Sequence, residues 1–157
     1  MAQIADEWSR ERLIAAARAA AMQAYAPYSH FRVGAVVVVQ APDGLHVVSG
    51  ANVENASYGL ALCAERAALA SACALGSARR LEDEVERLMT PPHISYVAVA
   101  CLDAPIDAPV EERMPCGACR QWLAELAPDA VYFVDGVEGA LRLPDLLPHP
   151  FRLSINA

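Results

Sequence analysis

Two stretches, Cys63-Ala64-Glu65-Arg66 and Pro115-Cys116-Gly117-Ala118-Cys119, organise the 157-residue chain. Each stands where a helical pattern begins. Cys63–Gly76 carries Ala67, Ala68, Ala70 and Leu75, which are good helix formers, with Gly76 as a stop signal. No side-chain N-cap precedes it, since Ala61 and Leu62 have no side-chain oxygen. A sulfur at the start of that helix lies near the positive end of the dipole, which favours a thiolate. Pro115 tolerates an early position in the second helix, which runs to about Leu126. Together the stretches offer three thiols, Cys63, Cys116 and Cys119, and the carboxylate of Glu65. Three thiolates with an open fourth position match a catalytic zinc site. A carboxylate two residues from a ligand can carry the proton of the attacking water.

Working outward, the pattern predicts a helix from Asp6 to about Tyr25, with Trp8, Ala15, Ala19 and Met22 near helical spacing. Ala26-Pro27-Tyr28-Ser29 ends it. Val36–Val39 is a β-branched run that, with Val33, fits a buried strand. Pro42-Asp43-Gly44 is a turn, and His46–Gly50 forms the antiparallel partner. If that strand continues, Asn52 and Glu54 project to one side. Arg79 to about Met89 reads as a short charged helix, His93–Cys101 as a core strand and Asp103–Met114 as a loop. Val131–Val134 and Glu138–Leu143 are two further strands. The order implies an α/β fold: a mixed sheet of about five strands flanked by helices, in one domain over residues 1–157.

Composition narrows the function. The formal net charge is −7, whereas a groove for a nucleic-acid polymer shows a basic excess. No apolar run reaches the roughly 20 residues that span a bilayer. No signal-peptide pattern is present, so a cytoplasmic location is expected. Five cysteines is an odd count, which points to metal binding or catalysis before a disulfide framework.

A Cys-x-x-Cys pair alone can be a redox dithiol or half of a structural zinc site. A redox pair leaves Cys63-Ala64-Glu65 unexplained. A structural site needs a fourth ligand, for which Cys73 and Cys101 are candidates, though both read as core residues. A catalytic site uses every part. Three thiolates on Zn²⁺ leave a net negative centre, which opposes water ionisation. Arg66, or Arg120, can offset it by donating to a sulfur. His30, His46, His93 and His149 are scattered and need no metal role.

Four motifs in order resemble the small homotetrameric zinc-dependent cytidine deaminases. They are Ala26-Pro27-Tyr28-Ser29 with Phe31-x-Val33-Gly34, Asn52-Val53-Glu54-Asn55-Ala56, Cys63-Ala64-Glu65-Arg66, and Pro115-Cys116-Gly117-Ala118-Cys119-Arg120-Gln121. The resemblance implies a three-layer α/β/α fold and hydrolysis of cytidine and deoxycytidine to the uracil nucleosides plus ammonia. It implies one zinc per subunit on Cys63, Cys116 and Cys119. It gives Glu65 the proton transfers to pyrimidine N3 and the leaving ammonia, as in the known zinc deaminases. It places Phe31 against the base, the Ala64 backbone at the base edge, and Asn52 and Glu54 on the ribose 3′-hydroxyl. It gives Ala56, Tyr58 and Phe151 contacts to a neighbouring subunit's nucleoside. The segment between Gly76 and Pro115 is longer than the family's usual form. Two alternatives remain: a deaminase of a modified cytosine nucleoside or an antibiotic such as blasticidin S, and a non-catalytic zinc module. The carboxylate of Glu65 discriminates against the second, because a structural site does not require it.

Overall fold

Valine at four successive positions, Val36 to Val39, gives the sheet its centre, since each is 0–1% exposed. Burying each such side chain contributes roughly 1.5–3 kcal/mol. In the computed structural model, which describes residues 8–41, 43–78 and 91–153, these valines lie in β1 (Val33–Ala41). β1 pairs antiparallel with β2 (Gly44–Ala51), Val37 opposite Val48. On its other side β1 pairs antiparallel with β3 (Ile94–Cys101), Val37 opposite Val97. β3 runs parallel to β4 (Val131–Val134). The sheet order is β2-β1-β3-β4.

Alternation along the strands sends side chains to two cores. Val36, Val38, Ala98, Ala100 and Phe133 meet α1 (Arg10–Ala21), which contributes Leu13, Ile14 and Ala17. Ala35, Val37, Val39, Val97 and Val99 face α2 (Ala64–Ala78) and α3 (Gly117–Leu126). A short α4 (Leu143–Leu146) closes that second core with Leu143 and Leu146. The result is the expected three-layer α/β/α arrangement.

Two glycines let the layers approach. A Cβ on Gly34 would lie 2.1 Å from the Ala17 carbonyl oxygen of α1. One on Gly50 would lie 2.5 Å from both Ala64 O and Ala68 N of α2. The first turn of α2, which carries Glu65, is therefore seated directly on β2.

Several expectations are corrected. The inward face of α1 is Leu13, Ile14, Ala17 and Ala21, while Ala15, Ala19 and Met22 face solvent. Alanine on every side of this helix gives little contrast, so Leu13 and Ile14 set the phase. Gly76 does not end α2, which continues to Ala78. A helix-interior glycine costs only about 1 kcal/mol against alanine, and the packed face of α2 outweighs it. Pro115 precedes α3, whose N-cap is Cys116. The strand expected over Glu138–Leu143 reduces to one bridge, in which Tyr132 and Leu141 exchange backbone hydrogen bonds of 3.0 and 2.9 Å. Gly139, at φ +79°, turns the chain just before that bridge. The sheet thus has four strands among the described residues. Pro42 and the charged segment from Arg79 to about Met89 lie outside those residues. No helix among them is long and apolar enough to cross a membrane.

Candidate active site

The start of β1, the end of β3 and the N-termini of α2 and α3 converge on one cavity. Its walls include Phe31, Asn52, Cys63, Ala64, Glu65 and Cys116, all expected from the sequence. Cys63 immediately precedes α2, and its carbonyl accepts from Ala67 N at 3.0 Å. Cys116 caps α3, and its carbonyl accepts from Arg120 N at 2.9 Å. One turn into α3, Cys119 is fully buried. Two helix N-termini thus direct their positive ends at the same sulfurs.

The three Sγ atoms lie within 4.8 Å of one another, with Cys63 and Cys116 at 3.9 Å. Sulfurs on a tetrahedral zinc with ~2.3 Å bonds sit ~3.8 Å apart. The donor set is three soft sulfurs with no competing carboxylate or imidazole among them, which suits zinc. The residues therefore fit the ion.

Electrostatics prepare this set. The Cys63 thiol is lowered to about 5, chiefly by a hydrogen bond from Cys119 and further by Arg66, against the opposing effect of burial. The Cys119 thiol shifts upward, because it donates to Cys63 and is buried. Arg66 Nη2 donates to Cys63 Sγ at 3.5 Å and to Ala61 O at 3.1 Å. Arg66 thus reaches one of the three sulfurs. Arg120 does not share this contact. Its Nε donates to Pro115 O at 2.7 Å and its Nη1 to Leu146 O at 2.8 Å, so it straps the Cys116 loop to α4.

Glu65 is 4% exposed in the first turn of α2. Burial raises its carboxyl above the ordinary carboxylate range, and the Cys63 thiolate raises it further. A carboxyl so placed holds its proton more tightly than an exposed one and stands where it can pass that proton on.

Asn52 and Glu54 do not extend β2; the strand ends at Ala51 and Val53 bridges to Tyr25 and Leu62. Asn52 Oδ1 accepts from Val33 N at 2.8 Å and Nδ2 donates to Phe31 O at 2.9 Å. Glu54 accepts from Tyr28 N at 2.8 Å, from Ser29 N at 3.2 Å and from Ser29 Oγ. These bonds hold its carboxyl below the ordinary range, the Ser29 hydroxyl first and then Tyr28 N. Both side chains pin the loop that carries Phe31. Glu54 and Tyr58 line a separate groove with Tyr28 and Ser29. Ala56, Tyr58 and Phe151 are exposed and outside the cavity. The backbone of Phe151 is held by Gln121, which donates to its carbonyl at 2.8 Å and accepts from its N–H at 3.2 Å.

The sequence reading missed Val33, Val99, Glu112, Arg113 and Met114 in the cavity wall. Met114 stands two residues before Cys116 and Val33 two after Phe31, a proximity that offered a signal. Val99 and Arg113 become visible only once β3 is placed beside β1. Cys101 is buried as expected but also lines the cavity, and burial raises its thiol to about 11. It stays protonated and stands apart from the three-sulfur set.

Comparison with known proteins agrees with this geometry. Residues 7–135 match the family described as the cytidine and deoxycytidylate deaminase zinc-binding region. A cytidine deaminase of Halalkalibacterium halodurans is 41% identical over 146 residues, covering 90% of this chain and 93% of that protein. One from Mycobacterium tuberculosis is 41% identical over 134 residues, covering 85% and 83%. The crystal structure of cytidine deaminase from Burkholderia pseudomallei superposes with a TM-score of 0.69 at 41% identity, covering 91% of this chain and 99% of that one. The match in sequence and in fold extends through both cysteine stretches, and the chain belongs to the cytidine and deoxycytidylate deaminase zinc-binding family.

Proposed function

We propose that this chain hydrolyses cytidine and deoxycytidine to uridine and deoxyuridine plus ammonia. The observation that carries the reading is a buried carboxyl, Glu65, beside three sulfurs within 4.8 Å of one another. Cys63, Cys116 and Cys119 would hold one zinc ion per subunit, which would supply the Lewis acidity that makes water nucleophilic at neutral pH. Glu65 takes the proton of the attacking water and returns protons to pyrimidine N3 and the departing amine. Its raised pKa suits both directions of transfer. Arg66 offsets negative charge at the sulfurs through its contact to Cys63.

Phe31 packs against the base and the Ala64 backbone meets the base edge. Beyond its two loop contacts, the Asn52 amide retains one hydrogen and one lone pair. Glu54 Oε2 already accepts two bonds and Oε1 one, which leaves an acceptor site on Oε1. That remaining capacity serves the ribose hydroxyl, so each residue both shapes the loop and binds sugar.

Ala56, Tyr58 and Phe151 act across a subunit boundary in a homotetramer. An exposed apolar cluster supports this part of the reading: Tyr25 57%, Val53 47%, Tyr58 79% and Leu60 70% exposed, with Tyr28 edge-on to Tyr58 at 6.4 Å. Such clusters mark association surfaces. Residues 1–157 form one domain that works in the cytoplasm, on nucleosides and not on nucleic-acid polymers, in keeping with the −7 charge.

The test is zinc-loaded protein incubated separately with cytidine, deoxycytidine and blasticidin S, with products resolved by chromatography and mass by sedimentation. Uridine and deoxyuridine in a tetrameric fraction are expected. Zinc-replete protein that leaves both nucleosides intact and converts only the antibiotic overturns the assignment.

A further inference from the structure

We propose that Arg32 and Asp103 are a positioning pair that sets the separation of the two loops walling the cavity. The inference rests on the deaminase reading above. Asp103 Oδ2 accepts from Arg32 N at 2.7 Å and from Arg32 Nε at 2.9 Å, and Oδ1 accepts from Nη2 at 2.7 Å. In return Leu102 N donates to Arg32 O at 3.0 Å. Four hydrogen bonds therefore join residues some 70 positions apart, and all of them converge on one residue of the first loop.

That residue is flanked by cavity wall on both sides. Phe31 and Val33 line the cavity, and the side chain of Arg32 between them is engaged with Asp103 instead. Asp103 opens the segment that brings Glu112, Arg113 and Met114 to the facing wall. Asn52 fastens the same loop from the β2 side, through Phe31 O and Val33 N. Asp103 fastens it from the β3 side. With both fasteners in place, Phe31 O, Arg32 N, Arg32 O and Val33 N are all hydrogen-bonded, which restrains the backbone that carries the Phe31 ring.

Magnitude separates positioning from stability. The pair is part-exposed, with side chains 39% and 26% accessible. Such pairs contribute on the order of 1 kcal/mol or less to folding. The bidentate fork instead fixes direction and distance, which a single ammonium contact does not. Loss of the pair therefore leaves the fold nearly intact and loosens Phe31.

The test uses full-length zinc-loaded protein and cytidine, with Asp103→Ala, Phe31→Ala and the double variant. Asp103→Ala raises KM about fivefold or more with kcat within about twofold. Zinc content stays at the wild-type value. In the Phe31→Ala background the Asp103 change adds nothing to KM, because its effect passes through Phe31. Asp103→Asn, which keeps an acceptor for Arg32 N, recovers part of the loss. Should Asp103→Ala not accumulate as folded protein, Arg32→Met provides the same reading and leaves the backbone contact. An active variant with wild-type KM overturns the positioning role, as does an equal rise of KM in the Phe31→Ala background. A zinc-loaded wild type inert to cytidine overturns instead the deaminase reading.

Discussion

Gly50→Ala carries a large consequence from one methyl group. Gly50 lies in β2 opposite Ala35, and the added Cβ would stand 2.5 Å from Ala64 O and Ala68 N and 3.0 Å from Ala67 Cβ. Ordinary contact begins at 3.4 Å, so α2 must withdraw by close to an ångström. The two closest atoms struck are backbone and the third is an alanine Cβ, so no side chain can rotate out of the way. Overpacking of this kind costs about 1–3 kcal/mol. For a chain of this length that is a fall in Tm of roughly 3–10 °C. The displaced turn also carries Glu65 and adjoins Cys63, and a 1 Å misplacement can cost ~100-fold in rate. The variant is assayed by thermal melting, zinc content and cytidine turnover. It is expected to lose about 100-fold in kcat/KM while still folding at 25 °C. Wild-type Tm together with wild-type kcat/KM would refute the claim that β2 seats the catalytic turn.

Two further expectations follow from the charges. Arg66→Met removes the donor 3.5 Å from Cys63 Sγ and the bond to Ala61 O. The Cys63 thiol then rises from its lowered value, so zinc affinity measured by chelator competition falls, by about 10-fold near pH 7. The Arg32–Asp103 pair also gives a pH signature. Its Asp103 carboxyl is depressed to about 2, by the Arg32 side chain first and then by Arg32 N–H. An aspartate in an unfolded chain titrates at about 3.9. A depressed carboxyl stabilises the fold fully above that unfolded value and loses the contribution as pH falls towards 2. The stability gap between wild type and Arg32→Met, measured by urea unfolding, is therefore constant from pH 6 to about 5 and narrows below about 4.

What the sequence revealed was what depends on local chemistry. The valines of β1 have one buried solution, and the turn after them fixed the hairpin partner. Cys63 and Cys116 were legible because each begins a helix and their spacing to Glu65 and Cys119 is short. Pairings that depend on tertiary placement were not legible. Asn52 and Glu54 share a side only if the strand continues, whereas β2 ends at Ala51 and each side chain is bonded to the loop at 28–33. Arg120 resembled Arg66 as a cation beside a cysteine, but its helix phase turns it towards Leu146. Asp103 stood in an acidic loop with nothing to mark it, and its partner lies 71 residues earlier. In α1 the abundance of alanine hid the inward face, which Gly34 and the α1 backbone reveal by contact.

The most direct test of the account is Glu65→Gln, with zinc content and cytidine conversion measured on the same samples. The substitution keeps the size of the side chain and removes its ability to carry a proton. A variant with the wild-type zinc stoichiometry and cytidine turnover reduced by about 1000-fold or more is the predicted result. Turnover near the wild-type rate with zinc retained would contradict the assignment of Glu65 as the group that moves protons beside the three sulfurs.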